Sequence, residues 1–209
     1  MKVKKVLCSA GLTGFYMDDK EAIREGAKAD GFIYRGEPRT PGFDTIRQSG
    51  EAVSVIFVLE NGDIAYGDCA VAQYAASGGR EMPMRAKDLV RVIEKDVVPL
   101  FEGKDITVFK ETAEEFDRML VKGQQLPASI RYGVTQAILE TVAKERHLTM
   151  AEVIAREYGL EIELKPVRIN AQSGDDRYTN VDKMILKQVG MMPHGLIRTG
   201  RSSWSGLPG

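Results

Sequence analysis

The sequence is poor in the residues that most often carry chemistry: of 209 residues, two are cysteine, two histidine and one tryptophan. Cys8 and Cys69 are too few and too far apart for a disulfide framework or a zinc site, which leaves buried, reduced thiols in a cytosolic protein as the plain reading. It also lacks an excess of either charge. With 29 Lys plus Arg against 30 Asp plus Glu, the net charge of -1 gives no electrostatic ground for nucleic acid or an anionic membrane as partner. A small molecule or another protein remains. Long apolar runs are missing too: the start, Met1 to Lys5, is basic, but only short apolar pieces follow before Asp18-Asp19. No signal-peptide core or membrane span is expected, and the cytoplasm is the simplest location. What the chain does have is 43% hydrophobic and 28% charged residues, enough for a globular protein with a sizeable core.

The apolar pattern changes period along the chain. Val3, Val6 and Leu7 suggest a first strand, and the Gly-rich run Gly11 to Phe15 reads as a loop after it. A second loop spans Arg35 to Gly42, with Pro38 and Pro41. Two apolar runs, Ala52 to Leu59 and Ile64 to Gly67, flank Asn61-Gly62, whose tolerance of positive φ predicts an antiparallel hairpin. With the first strand it makes a three-stranded meander. From Ala86 the spacing becomes helical through Leu89, Val92, Ile93 and Val97, and Pro99 is expected to close that segment. A helix near Thr112 would put Phe116, Met119 and Leu120 on one face. The longest helix is predicted from Pro127 to Arg146, with Ile130, Val134, Ala137 and Ile138 as its apolar stripe. Thr149 and Glu152 form a capping box, Leu148 staples onto Val153, and Gly159 ends the short helix that follows.

After Gly159, Leu160, Ile162 and Leu164 alternate with acidic residues and Pro166 to Asn170 continues a strand-like pattern. Asp176 or Asn180 then caps a helix carrying Val181, Met184, Ile185 and Val189. This is one unit of a β/α architecture, which cannot bury its own apolar faces. The organisation expected is a domain over 1–160, the start of a β/α barrel over 161–197, and a tail over 198–209 without period, read as disordered or foreign to the fold.

Few residues could carry chemistry. Gly78-Gly79-Arg80 matches no phosphate-loop pattern. Asp175-Asp176 with Asp182 could suggest a metal site, but paired aspartates ahead of an amphipathic segment more often cap a helix. His147 ends a helix, where a cation is favourable and chemically ordinary. His194 follows Pro193 in an apolar stretch, where packing and catalysis both stay open. Gln172 ends a predicted strand, the place where a β/α barrel collects its site, yet an amide there can bind a carboxylate or merely satisfy a loop.

Several ordered blocks together resemble the methylaspartate ammonia-lyase family of the enolase superfamily: Leu12-Thr13-Gly14-Phe15-Tyr16 with Asp18-Asp19, Gly67-Asp68-Cys69-Ala70 leading to Gln73-Tyr74, Gly78-Gly79-Arg80, Ile130 to Leu139, Ala171 to Tyr178, and Pro193-His194. The resemblance runs from the first strand to about Ile197. It implies a capping domain of three-stranded antiparallel meander plus helices, followed by the first β/α units of a TIM-type barrel. It also implies elimination of ammonia from 3-methylaspartate to give mesaconate, with Mg²⁺ stabilising the charge left when a base removes the proton beside a carboxylate. Carried over by position, Gln172 is the amide that binds a substrate carboxylate, His194 the imidazole facing the reacting carbon opposite the principal base, and Gln73 a residue that closes over the substrate. The resemblance further implies a homodimer. It places the base lysine and the acidic metal ligands on later barrel strands, so no metal ligand is expected in these 209 residues and no activity is expected of them alone.

Overall fold

In the computed structural model, residues 1–70, 76, 81–171 and 177–190 are described. In chain order the elements are β1 (Val3–Asp18), α1 (Lys20–Arg24), β2 (Lys28–Asp30), β3 (Ile33–Arg35), β4 (Arg47–Leu59), β5 (Ile64–Ala70), α2 (Ala86–Val92), a π turn (Ile93–Val97), α3 (Val98–Phe101), α4 (Phe109–Arg118), β6 (Leu120–Val121), β7 (Gln124–Gln125), α5 (Ala128–Glu145), α6 (Met150–Tyr158) and α7 (Arg177–Leu186). They fall into two compact units, Met1–Ile162 and Glu163–Gly209. Among the described residues no helix is long and apolar enough to cross a membrane.

The expected meander is there, antiparallel in the order β1-β4-β5. β4 alternates because strand side chains alternate: Val53, Val55, Phe57 and Leu59 are fully buried, while Ser54, Ile56 and Val58 on the opposite face are half-buried. The hairpin turn differs in detail from a two-residue turn. Among its residues only Gly62 takes a positive φ, of 91°, and Asn61 instead uses its side-chain oxygen to accept the Asp63 N–H at 3.0 Å.

The Gly-rich run of the first strand is not a loop. β1 stays paired to β4 as far as Leu12 opposite Glu51, passes an irregularity, and resumes from Tyr16 opposite Ser49 to Asp18 opposite Arg47. Gly50 permits this, since a Cβ there would collide with the Thr13 hydroxyl and lie 3.0 Å from the Phe15 carbonyl. Pro99 does not close its helix either. The chain coils on through the π turn and restarts as α3, so that Pro99 falls in a first turn, where its missing N–H costs nothing. α4 is shorter than its apolar spacing suggests: Met119 is extended, with ψ 139°, and Leu120 belongs to β6 and is exposed.

α5 spans the predicted longest helix, and Ile130, Val134, Ala137 and Ile138 are all fully buried. It lies against β5 at a distance that side chains would forbid. A Cβ on Gly133 would fall 2.6 Å from Cys69 Sγ and 2.7 Å from Cys69 N, and one on Gly67 would meet the Gly133 carbonyl. The outward groups of β5 are met by successive turns of α5: Gln136 Oε1 accepts from Asp68 N at 3.3 Å, Glu140 Oε2 accepts from Tyr66 N at 2.7 Å, and Lys144 Nζ donates to the Ile64 carbonyl. β1 is covered near its start, where the Val3 N–H donates to Lys104 O at 2.9 Å and the Val6 N–H to Glu102 Oε1 at 3.1 Å.

α6 begins with the capping box read from the sequence. Glu152 N donates to Thr149 Oγ1 at 3.2 Å, Thr149 N donates to Glu152 Oε2 at 2.7 Å, and these bonds hold the Glu152 carboxyl below its usual range. Gly159 closes the helix in the left-handed region at φ 65°. Thr149→Ala is expected to lower the stability of this unit by about 1 kcal/mol, read as a shift in the urea midpoint at constant slope.

After α6 the strand-like stretch forms no ladder over 160–169 among the described residues. Asn180 lies inside α7 rather than capping it, and Asp176 lies outside the described residues. His147 sits just past α5 at φ 53°, as the left-handed residue that follows the end of the helix.

Candidate functional site

Gln73, Gln172 and His194 lie outside the described residues, as do Gly78-Gly79-Arg80, Asp175-Asp176 and the tail 198–209. The structure supplies the frame that leads to each. Ahead of Gln73, β5 ends at Ala70, with Cys69 pressed against Gly133 of α5. Beyond it, both oxygens of the Glu81 carboxylate accept the Ala128 N–H, at 3.0 and 2.9 Å, and the Glu81 carbonyl accepts the Ala76 N–H at 2.7 Å. A carboxylate at the start of α5 also meets the helix dipole favourably. Both ends of the segment that carries Gln73 are therefore tied to one helix.

A second junction lies in the other unit. The Gly190 N–H donates to the Ile169 carbonyl at 3.1 Å, and a Cβ on Gly190 would lie 2.8 Å from Cβ of Arg168. Ile169 stands just before Gln172 in the chain and Gly190 just before His194, so the two stretches that carry these residues leave from one point.

Among the described residues of the first unit, two clefts stand out. One, of about 410 Å³, is bordered by Leu12, Glu51, Arg85 and Lys87. Two of its charges are engaged, since Arg85 holds Glu51 at 2.6 Å and Asp44 at 2.6 Å and Glu51 also accepts the Ala86 N–H that opens α2, whereas Lys87 has no partner among the described residues. The other, of about 320 Å³, is bordered by Phe15, Tyr16, Phe32, Ile33 and Arg47. Arg47 is bound on both arms by Asp18, at 2.7 and 2.9 Å, and its guanidinium lies 4.0 Å from the centre of the Tyr16 ring and 4.9 Å from those of Phe32 and Tyr34. The Asp18 bonds raise its pKa above the ordinary value. Among the described residues, neither cleft presents an unpaired carboxylate to a substrate.

Asp19 is the most heavily used carboxylate among the described residues. Fully buried, it caps α1 through the N–H groups of Glu21 and Ala22 and accepts the N–H of Arg39 at 2.6 Å, the N–H of Thr40 at 2.8 Å and the Thr40 hydroxyl at 2.6 Å. Burial pushes its carboxyl up, but these bonds outweigh burial and hold it below its ordinary 3.8. The sequence shows the cap as an aspartate ahead of a short helix; it gives no sign that the same carboxylate gathers the loop at Arg39-Thr40. Cys69 is inert in its setting, since burial pushes its thiol up to about 12. Both cysteines are free. No group of three or more His, Cys, Asp or Glu that could hold a metal occurs among the described residues.

The family described as methylaspartate ammonia-lyase N-terminus matches residues 1–159, and that described as methylaspartate ammonia-lyase C-terminus matches residues 161–204. Methylaspartate ammonia-lyase of Clostridium tetanomorphum is 55% identical over 197 residues, covering 94% of this chain and 48% of that protein. That of Citrobacter amalonaticus is 45% identical, again over 94% of this chain and 48% of its own length. The chain thus spans about half the length of the curated relatives it matches. Among solved structures, the magnesium complex of β-methylaspartase from Clostridium tetanomorphum superposes with a TM-score of 0.89 at 55% identity, over 94% of this chain and 48% of that one. The Citrobacter amalonaticus enzyme containing (2S,3S)-3-methylaspartic acid gives 0.89 at 44% identity, also over 94% and 48%. Muconate cycloisomerase from Pseudomonas fluorescens, at 11% identity and a TM-score of 0.53 over 92% of this chain and 42% of that one, shares the fold alone.

Proposed function

Since the chain belongs to the methylaspartate ammonia-lyase family, we propose that it supplies the capping domain, over about 1–160, and the opening β/α units of an enzyme that eliminates ammonia from 3-methylaspartate to give mesaconate. The observation that carries this reading is 55% identity over 94% of the chain, across both halves of the family pattern. In it, Gln172 binds a substrate carboxylate, donating hydrogen bonds without adding a titratable charge, and His194 faces the reacting carbon as an imidazole able to give or take a proton near neutral pH. The bond between Gly190 and Ile169 supports the pairing, because it joins the stretches from which both depart. Gln73 closes over the substrate from a segment tethered to α5. A relative is known as a magnesium complex, and a bound Mg²⁺ would supply stabilisation of the negative charge formed beside the carboxylate. The described residues do not fit the metal, and no step assigned here to these side chains passes through it.

A polypeptide of these 209 residues, incubated with 3-methylaspartate and Mg²⁺, is expected to yield no mesaconate absorbance, because the resemblance assigns the principal base and the metal ligands to later strands. Joining residues 1–197 to the remaining part of the Clostridium tetanomorphum relative is expected to restore turnover. In that fusion Gln172→Ala and His194→Ala should each lower kcat/KM by about 10²-fold. A fusion that turns over equally well with either substitution would remove both residues from the site.

A second reading, a capping module that folds without catalysing, is favoured by the closed core of Met1–Ile162. Limited proteolysis checks it: a resistant core ending near Gly159 supports a module, and uniform resistance of the whole chain counts against it.

A further inference from the structure

We propose that Asn61, in the turn between β4 and β5, is a site of deamidation that the Asp63 carboxylate holds in check. An asparagine followed by glycine is open to this loss, because the nitrogen of the next residue is the attacking group and glycine has no Cβ to keep it from the side chain. The step needs no reagent but water. The Gly62 nitrogen gives up its proton and bonds Asn61 Cγ, the bond from Cγ to Nδ2 breaks, and ammonia leaves with that proton, closing a five-membered imide. Water then opens the imide at one carbonyl or the other, giving an aspartyl or an isoaspartyl linkage at position 61. In sum an amide and water become a carboxyl group and ammonia, and nothing is oxidised or reduced.

The fold engages both reacting groups elsewhere. The Gly62 N–H donates to the Leu59 carbonyl at 3.0 Å, closing the turn. The Asn61 side chain is held at both of its ends by one residue: Oδ1 accepts the Asp63 N–H at 3.0 Å, and Nδ2 donates to Asp63 Oδ2 at 2.7 Å. A bond to a carboxylate is shorter and roughly twice as strong as one between neutral groups. To bring Cγ onto the Gly62 nitrogen, Asn61 must give up its Asp63 bonds and Gly62 must leave Leu59. The meander has reason to be guarded here. The Leu59 N–H donates to the Asp63 carbonyl at 2.9 Å, Leu59 itself is fully buried, and the Glu60 N–H ties the turn to the Lys2 carbonyl of the neighbouring strand at 3.0 Å. An isoaspartyl linkage inserts an extra methylene into the main chain between Leu59 and Asp63, so it strains the bond that sets how β4 and β5 meet.

The test is incubation of the folded chain and of its Asp63→Ala and Asp63→Asn variants at neutral pH, with the aspartyl and isoaspartyl products at position 61 counted by peptide mass spectrometry. The same three chains in concentrated urea give the rate without the fold, and the urea midpoint of each shows that it is folded at the start. Folded wild type is expected to react about tenfold or more slowly than in urea, and Asp63→Ala to raise the folded rate by about tenfold. Asp63→Asn, whose amide oxygen still accepts from Nδ2, should fall between the two, and all three chains should agree in urea. A folded wild-type rate equal to that in urea would overturn the inference, as would an Asp63→Ala rate no higher than wild type. Rates in urea that differ as the folded ones do would place the effect in the local sequence rather than in the turn, and would overturn it equally.

Discussion

Gly133→Ala is expected to destabilise the first unit by about 3 kcal/mol or more, because the added methyl meets backbone rather than a yielding side-chain end. Its carbon would stand 2.6 Å from Cys69 Sγ, 2.7 Å from Cys69 N and 2.8 Å from Asp68 C. Rotation of the thiol relieves only the first of these. The other two require α5 and β5 to separate, and separation stretches the bonds from Gln136 to Asp68 N and from Glu140 to Tyr66 N. Gly67→Ala should be at least as damaging, since its methyl would run into the Gly133 carbonyl and lie 2.7 Å from Cβ of Gln136. Urea unfolding measures the loss. Labelling of Cys69 gives a second readout: its thiol, pushed up to about 12 by burial, should react with an aromatic disulfide reagent far faster once the helix has lifted. A loss under about 1 kcal/mol would show that the helix moves away freely and that the contact is incidental.

Asp19→Asn should cost about 3 kcal/mol at neutral pH, through a different mechanism. An amide can accept on one side only, whereas Asp19 receives the N–H groups of Arg39 and Thr40 on one oxygen and those of Glu21 and Ala22 with the Thr40 hydroxyl on the other. One set must face an NH₂ group. The substitution should also change the acid limb of stability. Bonding holds the Asp19 carboxyl below its ordinary 3.8, so its contribution is fully present above 3.8 and fades as pH falls through the lower folded value. Wild type should therefore lose stability faster than the variant as pH drops below about 4, with the two curves converging in acid. Parallel curves from pH 7 to acid would mean that the charge does not carry the effect.

Much of the first unit was legible because its signals are local. The alternation from Val53 to Leu59, the stripe from Ile130 to Ile138, and the pairing of Thr149 with Glu152 each need only neighbours a few residues away, and each is present. The misreadings are places where a distant strand or helix decides. Gly11 to Phe15 has turn composition, yet β4 is long enough to pair with the strand on either side, up to Leu12 and again from Tyr16, and that length shows only when both strands are in register. Pro99 looks like a terminator, yet a widened turn places it where a helix can restart. Met119 and Leu120 continue the apolar period of α4 after its backbone has already turned extended. The site was read in another way: Gln172, His194 and Gln73 came from ordered family blocks, since neither an amide nor a lone imidazole carries a spacing that declares its role.

The three side chains of α5 that face β5 have one more consequence. Gln136, Glu140 and Lys144 occupy the hydrogen-bonding positions that a fourth strand would need, and on the opposite margin Lys104 and Glu102 engage the start of β1. A sheet stacks into filaments through free margins. This one is blunted along β5 and at the start of β1, so Glu140→Ala with Lys144→Ala should be the change that lets fibres grow from the β5 side.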